Sequence, residues 1–358
     1  MSDDPLASVR ERAETALRSR WPAARLQALE PLAGGISSLT FAARSTGTGC
    51  ERVVIKVAPP GLEPVRNRDV LRQARVLRAL EHAPGVPVAR VLATDAGTPP
   101  LFVMEHVAGD AYEPKWDTAP APPEPPVVRA RALAAARALA ALHRASDREP
   151  PGVRQLRATG EPELTPADEL ARWTALYETV GPDLRAGEAA LRRALAANIP
   201  AAERGFRAVV VHGDLRLGNI LFCGEQPTAI IDWEIWTLGD RRHDLAWMMV
   251  FADPVMERAP VRSQADLAAD GAMPSAGELL SEYLAAAGEP RPPAQLGWFV
   301  AASRYKLGAA LAALIKRSRR SGRPDPGLER AAATTPAMLE RGLAELESGL
   351  EQPRSGVR

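Results

Sequence analysis

The chain has 358 residues, of which 46% are hydrophobic and 25% charged, with 45 basic against 44 acidic side chains. That composition is ordinary for a soluble globular protein, and a formal charge of +1 gives no electrostatic ground for binding nucleic acid or an anionic membrane surface. Two cysteines, Cys50 and Cys223, provide neither a disulfide framework nor a metal-binding spacing, so both are expected as free thiols.

A chain of this length can bury one large core or two smaller ones, which makes two lobes a natural organisation. Its first ten residues, MSDDPLASVR, are acidic and lack the apolar stretch of a signal peptide. Arg304 and Lys306 interrupt the apolar run at 298–315, so no membrane span is expected and a cytoplasmic location is the default. Alanine, arginine and proline are heavily used and lysine is rare, which reads as a compositional bias of the source; no internal repeat is evident.

In chain order, Leu6, Val9, Ala13 and Leu17 recur at helical spacing and predict an amphipathic helix laid on the outside. Residues 25–32, 39–44 and 52–58 read as successive strands joined by Gly-rich turns at 34–35 and 46–49. A helix over 68–80 follows, and strands over 88–94 and 101–107 complete an antiparallel set of about five with one inserted helix. Gly109 and the Pro-rich stretch at 119–126, expected as an extended surface crossing, then mark a boundary.

Beyond it the pattern turns helical: 127–143, 168–180, 187–197, 240–251, 277–287, 295–316 and 328–346 carry helical periodicity. Short apolar bursts at 208–211, 220–223 and 229–231 read as strands. The fold class expected is α+β: a small antiparallel β-sheet lobe, then a larger mainly helical lobe, with a crevice between.

The short strands frame the most informative stretch. Residues 212–221 read HGDLRLGNIL, and the next apolar run ends in Asp232 within TAIIDWE. An Asp, an Asn five positions on and a second Asp after the following strand provide a base (Asp214) and two metal ligands (Asn219, Asp232). Protein kinases set the same order against phosphoryl groups, with His-Arg-Asp where this chain has His-Gly-Asp. The plainer alternative is a polar turn between buried strands.

Other residues gain meaning beside that motif. Lys56 sits in the apolar VVIKVA, where a cation either points to solvent from an edge strand or meets an anionic partner; the downstream motif favours ATP phosphates. Gly34, Gly35, Ser37 and Ser38 lie between the first two strands and suit either a phosphate-cradling loop or a simple hairpin turn. Arg216, two residues after Asp214, is suited to neutralising charge on a transferring phosphoryl group; the alternative is an ion pair with a carboxylate such as Glu234. Asp240 and Asp244 open a helix, where acids are favoured, and read as structural support.

HGDLRLGN, DWE and GD…DLAW together resemble the aminoglycoside phosphotransferase superfamily, and are most similar to the kinase-like domain fused in some proteins to acyl-CoA dehydrogenases. The resemblance runs from about residue 32 to about 314. It implies a protein-kinase-like bilobal fold, ATP with Mg2+, and phosphate transfer to a hydroxyl of a small molecule. Asp214 would be the base, Asn219 and Asp232 the metal ligands, and Lys56 the partner of the α- and β-phosphates. Residues 105–107, Glu105 to Val107, would form the interlobe hinge whose backbone meets adenine. Residues 1–107 would then be the nucleotide-binding lobe and 108–358 the catalytic and substrate-binding lobe. Asp244 would brace the catalytic-loop backbone.

One departure stands out. Where relatives read Arg-Glu, this chain reads Arg72-Gln73, so Gln73 can hydrogen-bond Lys56 but cannot neutralise it. Asp69, one turn earlier, is a candidate substitute. An active small-molecule kinase is therefore set beside a nucleotide-binding regulator with little turnover.

The acceptor is less legible. A polycationic amino-sugar calls for carboxylates, and Asp253, Glu257, Asp266 and Glu282 are present but interspersed with Arg. The basic cluster Lys316, Arg317, Arg319, Arg320 and Arg323 either faces the crevice and selects an acidic or acyl acceptor, or is a solvated helix end. Trp233, Trp236, Trp247 and Trp298 either wall an acceptor site or pack the core.

Overall fold

The computed structural model describes residues 5–32, 38–201, 207–253 and 262–351. Helix α1 (Pro5–Arg18) lies on one face of a five-stranded antiparallel sheet made of β1 (Arg25–Pro31), β2 (Leu39–Thr46), β3 (Arg52–Val57), β4 (Val91–Asp95) and β5 (Leu101–Glu105). Spatial order is β1-β2-β3-β5-β4, with every neighbouring pair antiparallel. Strand β3 is central, and its alternation decides where its side chains go. Val53, Ile55 and Val57 join the apolar cluster beneath α1, with Ala13 and Leu17. Lys56 therefore points to the opposite face, toward α2 (Val70–Leu80).

The rest is mainly helical: α3 (Pro125–Asp147), α4 (Pro151–Ala158), β6 (Glu163–Leu164), α5 (Pro166–Glu178), α6 (Glu188–Ala197), β7 (Val209–Val211), β8 (Ile220–Cys223), β9 (Gln226–Ile230), β10 (Thr237–Gly239), α7 (Arg242–Phe251), α8 (Gln264–Gly271), α9 (Ala276–Ala287), α10 (Leu296–Arg320) and α11 (Pro326–Glu351). Strands β6, β10 and β7 make one small sheet, and β8 pairs with β9 in a hairpin. Reciprocal capping boxes set the starts of α5 (Thr165, Asp168), α8 (Ser263, Asp266) and α9 (Ser275, Glu278).

The core centres on α3. Its Ala-rich sequence lets neighbours approach closely, and Leu139 and Leu142 are fully buried in one cluster with Val210, Leu215, Trp236 and Leu245. Helix α10 is long and apolar enough to cross a membrane by length and composition, but 72% of that window is buried inside the protein. Buried Arg304 on α10 joins Asp253, just after α7, to Glu345 of α11. The sheet half is tied to the helical half by Arg72 of α2, whose guanidinium pairs with Glu161, donates to the Trp236 carbonyl and lies 4.1 Å from the Trp236 ring centroid.

Several boundaries differ from expectation. The strand expected over 88–94 begins at Val91 and the one over 101–107 stops at Glu105. The Pro-rich stretch is not extended throughout: Pro125 and Pro126 form the first turn of α3, where a missing N–H costs nothing. Helices α4 and α8 and strands β6 and β10 escape sequence reading because each is too short to show a period.

Leu139→Ala should lower unfolding free energy by about 3 kcal/mol, the usual cost of truncating a buried leucine. Urea denaturation measures this; an unchanged midpoint would show that α3 is not the centre of the core.

Candidate active site

Strand β7, three consecutive valines buried on both faces, delivers the chain to His212 in the interior. Gly213 then turns with φ 85°, and a Cβ at this position would lie 2.9 Å from the Ile235 carbonyl oxygen. No other residue suits both the conformation and the space. Asp244 of α7, wholly buried, accepts the backbone N–H groups of His212 and Gly213 at 2.7 and 2.8 Å. Burial pushes the Asp244 carboxyl up, but nearby His143 (3.6 Å), His212 and the Gly213 N–H outweigh it and hold it below the ordinary range. His212 takes the Asp214 N–H on Nδ1 (3.1 Å), so its proton sits on Nε2, which donates to the Ile231 carbonyl at 2.9 Å.

Both oxygens of Asp214 are held. Asn219 Nδ2 donates to Oδ2 and to the Asp214 backbone carbonyl, each at 2.8 Å, closing the loop on itself. Trp247 Nε1 donates to Oδ1 at 2.9 Å. The Asn219 carbonyl accepts the Ile231 N–H at 2.9 Å, joining this loop to the end of β9 and so to Asp232. Asp232 adopts left-handed backbone (φ 64°, ψ 52°), and its side chain is 40% exposed.

Lys56 reaches across from the sheet. Its Nζ lies 3.6 Å from Asp232 Oδ1 and donates to Gln73 Oε1 at 3.0 Å. Gln73 is buried and its Nε2 has no hydrogen-bond partner. Asp69 does not substitute for the missing glutamate: its carboxylate caps α2 through the Arg72 N–H and faces Arg75 at 3.3 Å. The carboxylate nearest Lys56 is Asp232.

Arg216 sits with its Nε 3.5 Å from Asp214 and its Nη1 3.6 Å from Glu113, beside the paired rings of Trp116 (5.1 Å) and Phe251 (5.8 Å). Burial works against its charge, but Asp214, Glu113, Asp117 and Asp232 hold its pKa above the usual arginine value. Glu113 is itself fully buried, and desolvation raises its pKa despite Arg216 and the Gly218 N–H. Sequence reading named neither Glu113 nor Trp116; they lie about a hundred residues before the motif, and only the fold brings them there.

Of the other expected residues, Ser38 is buried at the entry to β2, while Gly34, Gly35 and Ser37 lie outside the described residues. The Glu105 carboxylate is bound to the Arg90 N–H and guanidinium, at 3.0 and 3.4 Å. Past β5 the backbone continues without regular structure through His106, whose N–H meets the Arg52 carbonyl, and half-buried Val107.

The profile of the Phosphotransferase enzyme family matches residues 28–280. The chain belongs to that family. Curated relatives include an Arabidopsis thaliana protein named for acyl-CoA dehydrogenase, IBR3, 29% identical over 300 residues that are 79% of this chain and 35% of that protein. Human acyl-CoA dehydrogenase family member 11 is 25% identical over 275 residues, 75% of this chain and 34% of that protein. The chain thus spans about a third of the length of these relatives. Among solved structures, a Ralstonia eutropha protein named for aminoglycoside phosphotransferase superposes with a TM-score of 0.70 at 22% identity, covering 94% of this chain and 97% of that one. Macrolide 2'-phosphotransferase type I gives 0.54 at 21% identity, with 97% of each chain covered. At these identities the likeness is one of fold, and the α+β kinase-like architecture is common to all.

In this member of the family the acids expected to line an acceptor pocket are engaged elsewhere. Asp253 is held by Arg304, Asp266 caps α8 and accepts the Tyr112 hydroxyl, and Glu282 pairs with Arg137; Glu257 lies outside the described residues. The basic cluster is a helix end: Lys316 donates to the Thr179 carbonyl, and Arg319 bridges Asp183 and Glu329. Trp233, Trp236 and Trp298 are core side chains whose indole N–H groups meet backbone carbonyls; Trp247 is the one of the four bonded to Asp214.

Asp244 has a folded pKa below its unfolded value of about 3.9, so its stabilisation is complete above that pH and is lost as pH falls through the folded pKa. Asp244→Asn should cost about 2 kcal/mol at neutral pH, from weakened charge-assisted bonds, with the gap to wild type closing below about pH 4. Denaturation curves at a series of pH values read this directly, and a gap independent of pH would contradict it.

Proposed function

We propose that the chain is an ATP- and Mg2+-dependent phosphotransferase that moves the γ-phosphoryl group of ATP to a hydroxyl of a small molecule. The observation that carries this reading is the meeting of Lys56 from the sheet half with Asp232 at 3.6 Å, beside a loop that fixes both oxygens of Asp214. On this reading residues 1–107 form the nucleotide-binding lobe and 108–358 the catalytic lobe. The backbone at Glu105 to Val107 meets adenine, Gly34, Gly35, Ser37 and Ser38 line the phosphates, and Lys56 pairs with the α- and β-phosphates.

The donor set suits magnesium. Asp232 offers a half-exposed carboxylate and Asn219 an amide oxygen that its two Nδ2 hydrogen bonds leave unused. Both are hard oxygen donors, and Mg2+ ordinarily takes only one or two protein ligands, completing its shell with phosphate and water. No group of three or more His, Cys, Asp or Glu side chains competes for a metal among the described residues. When bound, the ion would neutralise charge on the nucleotide phosphates.

Asp214 is the base. A carboxylate accepts at several lone pairs, so the Asn219 and Trp247 bonds fix its orientation and leave positions for an acceptor hydroxyl. Arg216, beside the Trp116 and Phe251 rings, offsets charge on the phosphoryl group in flight. A regulator with slow turnover is the second reading, favoured by Gln73, which leaves Asp232 as the nearest carboxylate to Lys56.

Asp214→Ala should lower ATP turnover by about 10²- to 10⁴-fold while the melting-temperature rise with Mg-ATP persists. Hydrolysis and transfer assays against a panel of neutral, acidic and amino hydroxyl compounds measure this; equal rates for wild type and variant, with ATP bound, would leave the regulator. Gln73→Glu should raise turnover, since a glutamate at this position would relieve Asp232 of Lys56. An unchanged rate would show that the missing ion pair is not limiting.

A further inference from the structure

The clamp on residues 212–214 has a second jaw. Asp244 grips the N–H groups of His212 and Gly213 from one side. From the other, Lys306 of α10 donates its Nζ to the Gly213 carbonyl oxygen, the atom on the peptide that leads into Asp214. The same Nζ lies 4.2 Å from the ring centroid of Trp247, whose N–H holds Asp214 Oδ1. It lies 5.2 Å from the centroid of Trp173 on α5. One buried ammonium therefore touches both the backbone entering Asp214 and the indole that orients its carboxylate.

We propose that Lys306 is a positioning residue for phosphoryl transfer: it sets the Gly213–Asp214 peptide and the Trp247 indole, and through them the direction in which the Asp214 carboxylate faces its acceptor. This rests on Asp214 being the base.

Three features carry the proposal. Lysine accounts for only four of the chain's 45 basic residues, yet one of them occupies the buried interior of α10, two residues from an arginine. An ammonium is a compact point donor, and here it reaches one carbonyl while its charge lies over two indole rings; a planar guanidinium would direct its donors differently. Burial and the like charge of Arg172 disfavour the ammonium and lower its pKa, while the carboxylates Glu169, Asp214 and Asp244 favour it, so charged groups of both signs face it from the packed elements. Glu169 and Arg172 stand on α5, Asp214 on the loop, and His243 and Asp244 on α7. Arg304, on the same helix, is the contrasting case of a buried cation bonded directly to carboxylates, those of Asp253 and Glu345. Lys306 spends its hydrogen bond on the catalytic-loop carbonyl instead.

The test uses the full chain with Mg-ATP alone, reading hydrolysis, the KM for ATP and the melting temperature. Lys306→Met, which keeps the aliphatic stem, should bind ATP with KM within about twofold of wild type while kcat falls about 100-fold, the scale of a small misplacement of a reacting group. Proportional loss of kcat and folded fraction, or a wild-type kcat, overturns the proposal. If Lys306→Met does not melt cooperatively, Lys306→Arg carries the readout: a kcat reduced about tenfold at unchanged KM is expected from a displaced planar fork, and a wild-type kcat overturns it. Wild type no faster than Asp214→Ala would instead end the phosphotransferase reading itself, independently of Lys306.

Discussion

Everything at the centre of this protein depends on how the peptides at 212–214 are held. A strand of three valines brings the backbone into a dry interior, where polar groups without partners are costly. Asp244 satisfies two N–H groups there with a single carboxylate, and those bonds together with nearby His143 hold its pKa low despite its burial. The arrangement stands only as a unit, because a buried carboxylate stripped of its donors is strongly destabilising. Gly213 is required by the same geometry, since its turn leaves no room for a Cβ against Ile235. The rigidity of the loop thus comes from α7 and from the core on α3, not from the loop's own sequence.

Much of this was legible in the amino-acid order, for a physical reason. Asp214, Asn219 and Asp232 lie close in sequence, joined by a short hairpin, so spacing alone brings them near one another. Lys56 stood out as a charge within an apolar strand, and the alternation of β3 puts it on the face opposite Val53, Ile55 and Val57. What stayed hidden is long-range. Glu113 reaches the Gly218 N–H across 105 residues, and Lys306 reaches Gly213 across 93. No periodicity records such contacts. Asp69 was misread because helical spacing put it near Lys56, whereas a side chain at the position just before a helix is captured by the helix's own free N–H groups. The partners of the late-helix acids were hidden for the same long-range reason: Arg304 holds Asp253 and Arg137 holds Glu282 from other helices.

The exchange of glutamate for Gln73 redistributes charge across the lobes. Gln73 gives Lys56 a hydrogen bond but no counter-charge, so the ammonium leans toward Asp232 on the far side of the crevice. Asp232 is held for this by its left-handed backbone, a conformation unfavourable for a non-glycine residue and sustained by the buried Trp233 that follows. The lobes are therefore coupled by an ion pair as well as by the Arg72, Glu161 and Trp236 contacts.

That coupling bears on how a nucleotide would enter. In the arrangement seen here Lys56 and Asp232 partly satisfy each other, and a polyanion with its cation would replace one contact by two: phosphate against the ammonium, metal against the carboxylate. The exchange conserves charge at each site, so it avoids the penalty of exposing a buried ion alone. Because Lys56 rides on the sheet and Asp232 on the helical half, the exchange also changes what holds the halves together. Direct attraction between them would give way to a shared ligand. A glutamate in place of Gln73 would hold the ammonium within its own half at all times. The contact between Lys56 and Asp232 is thus where the two halves meet and where such a ligand would act.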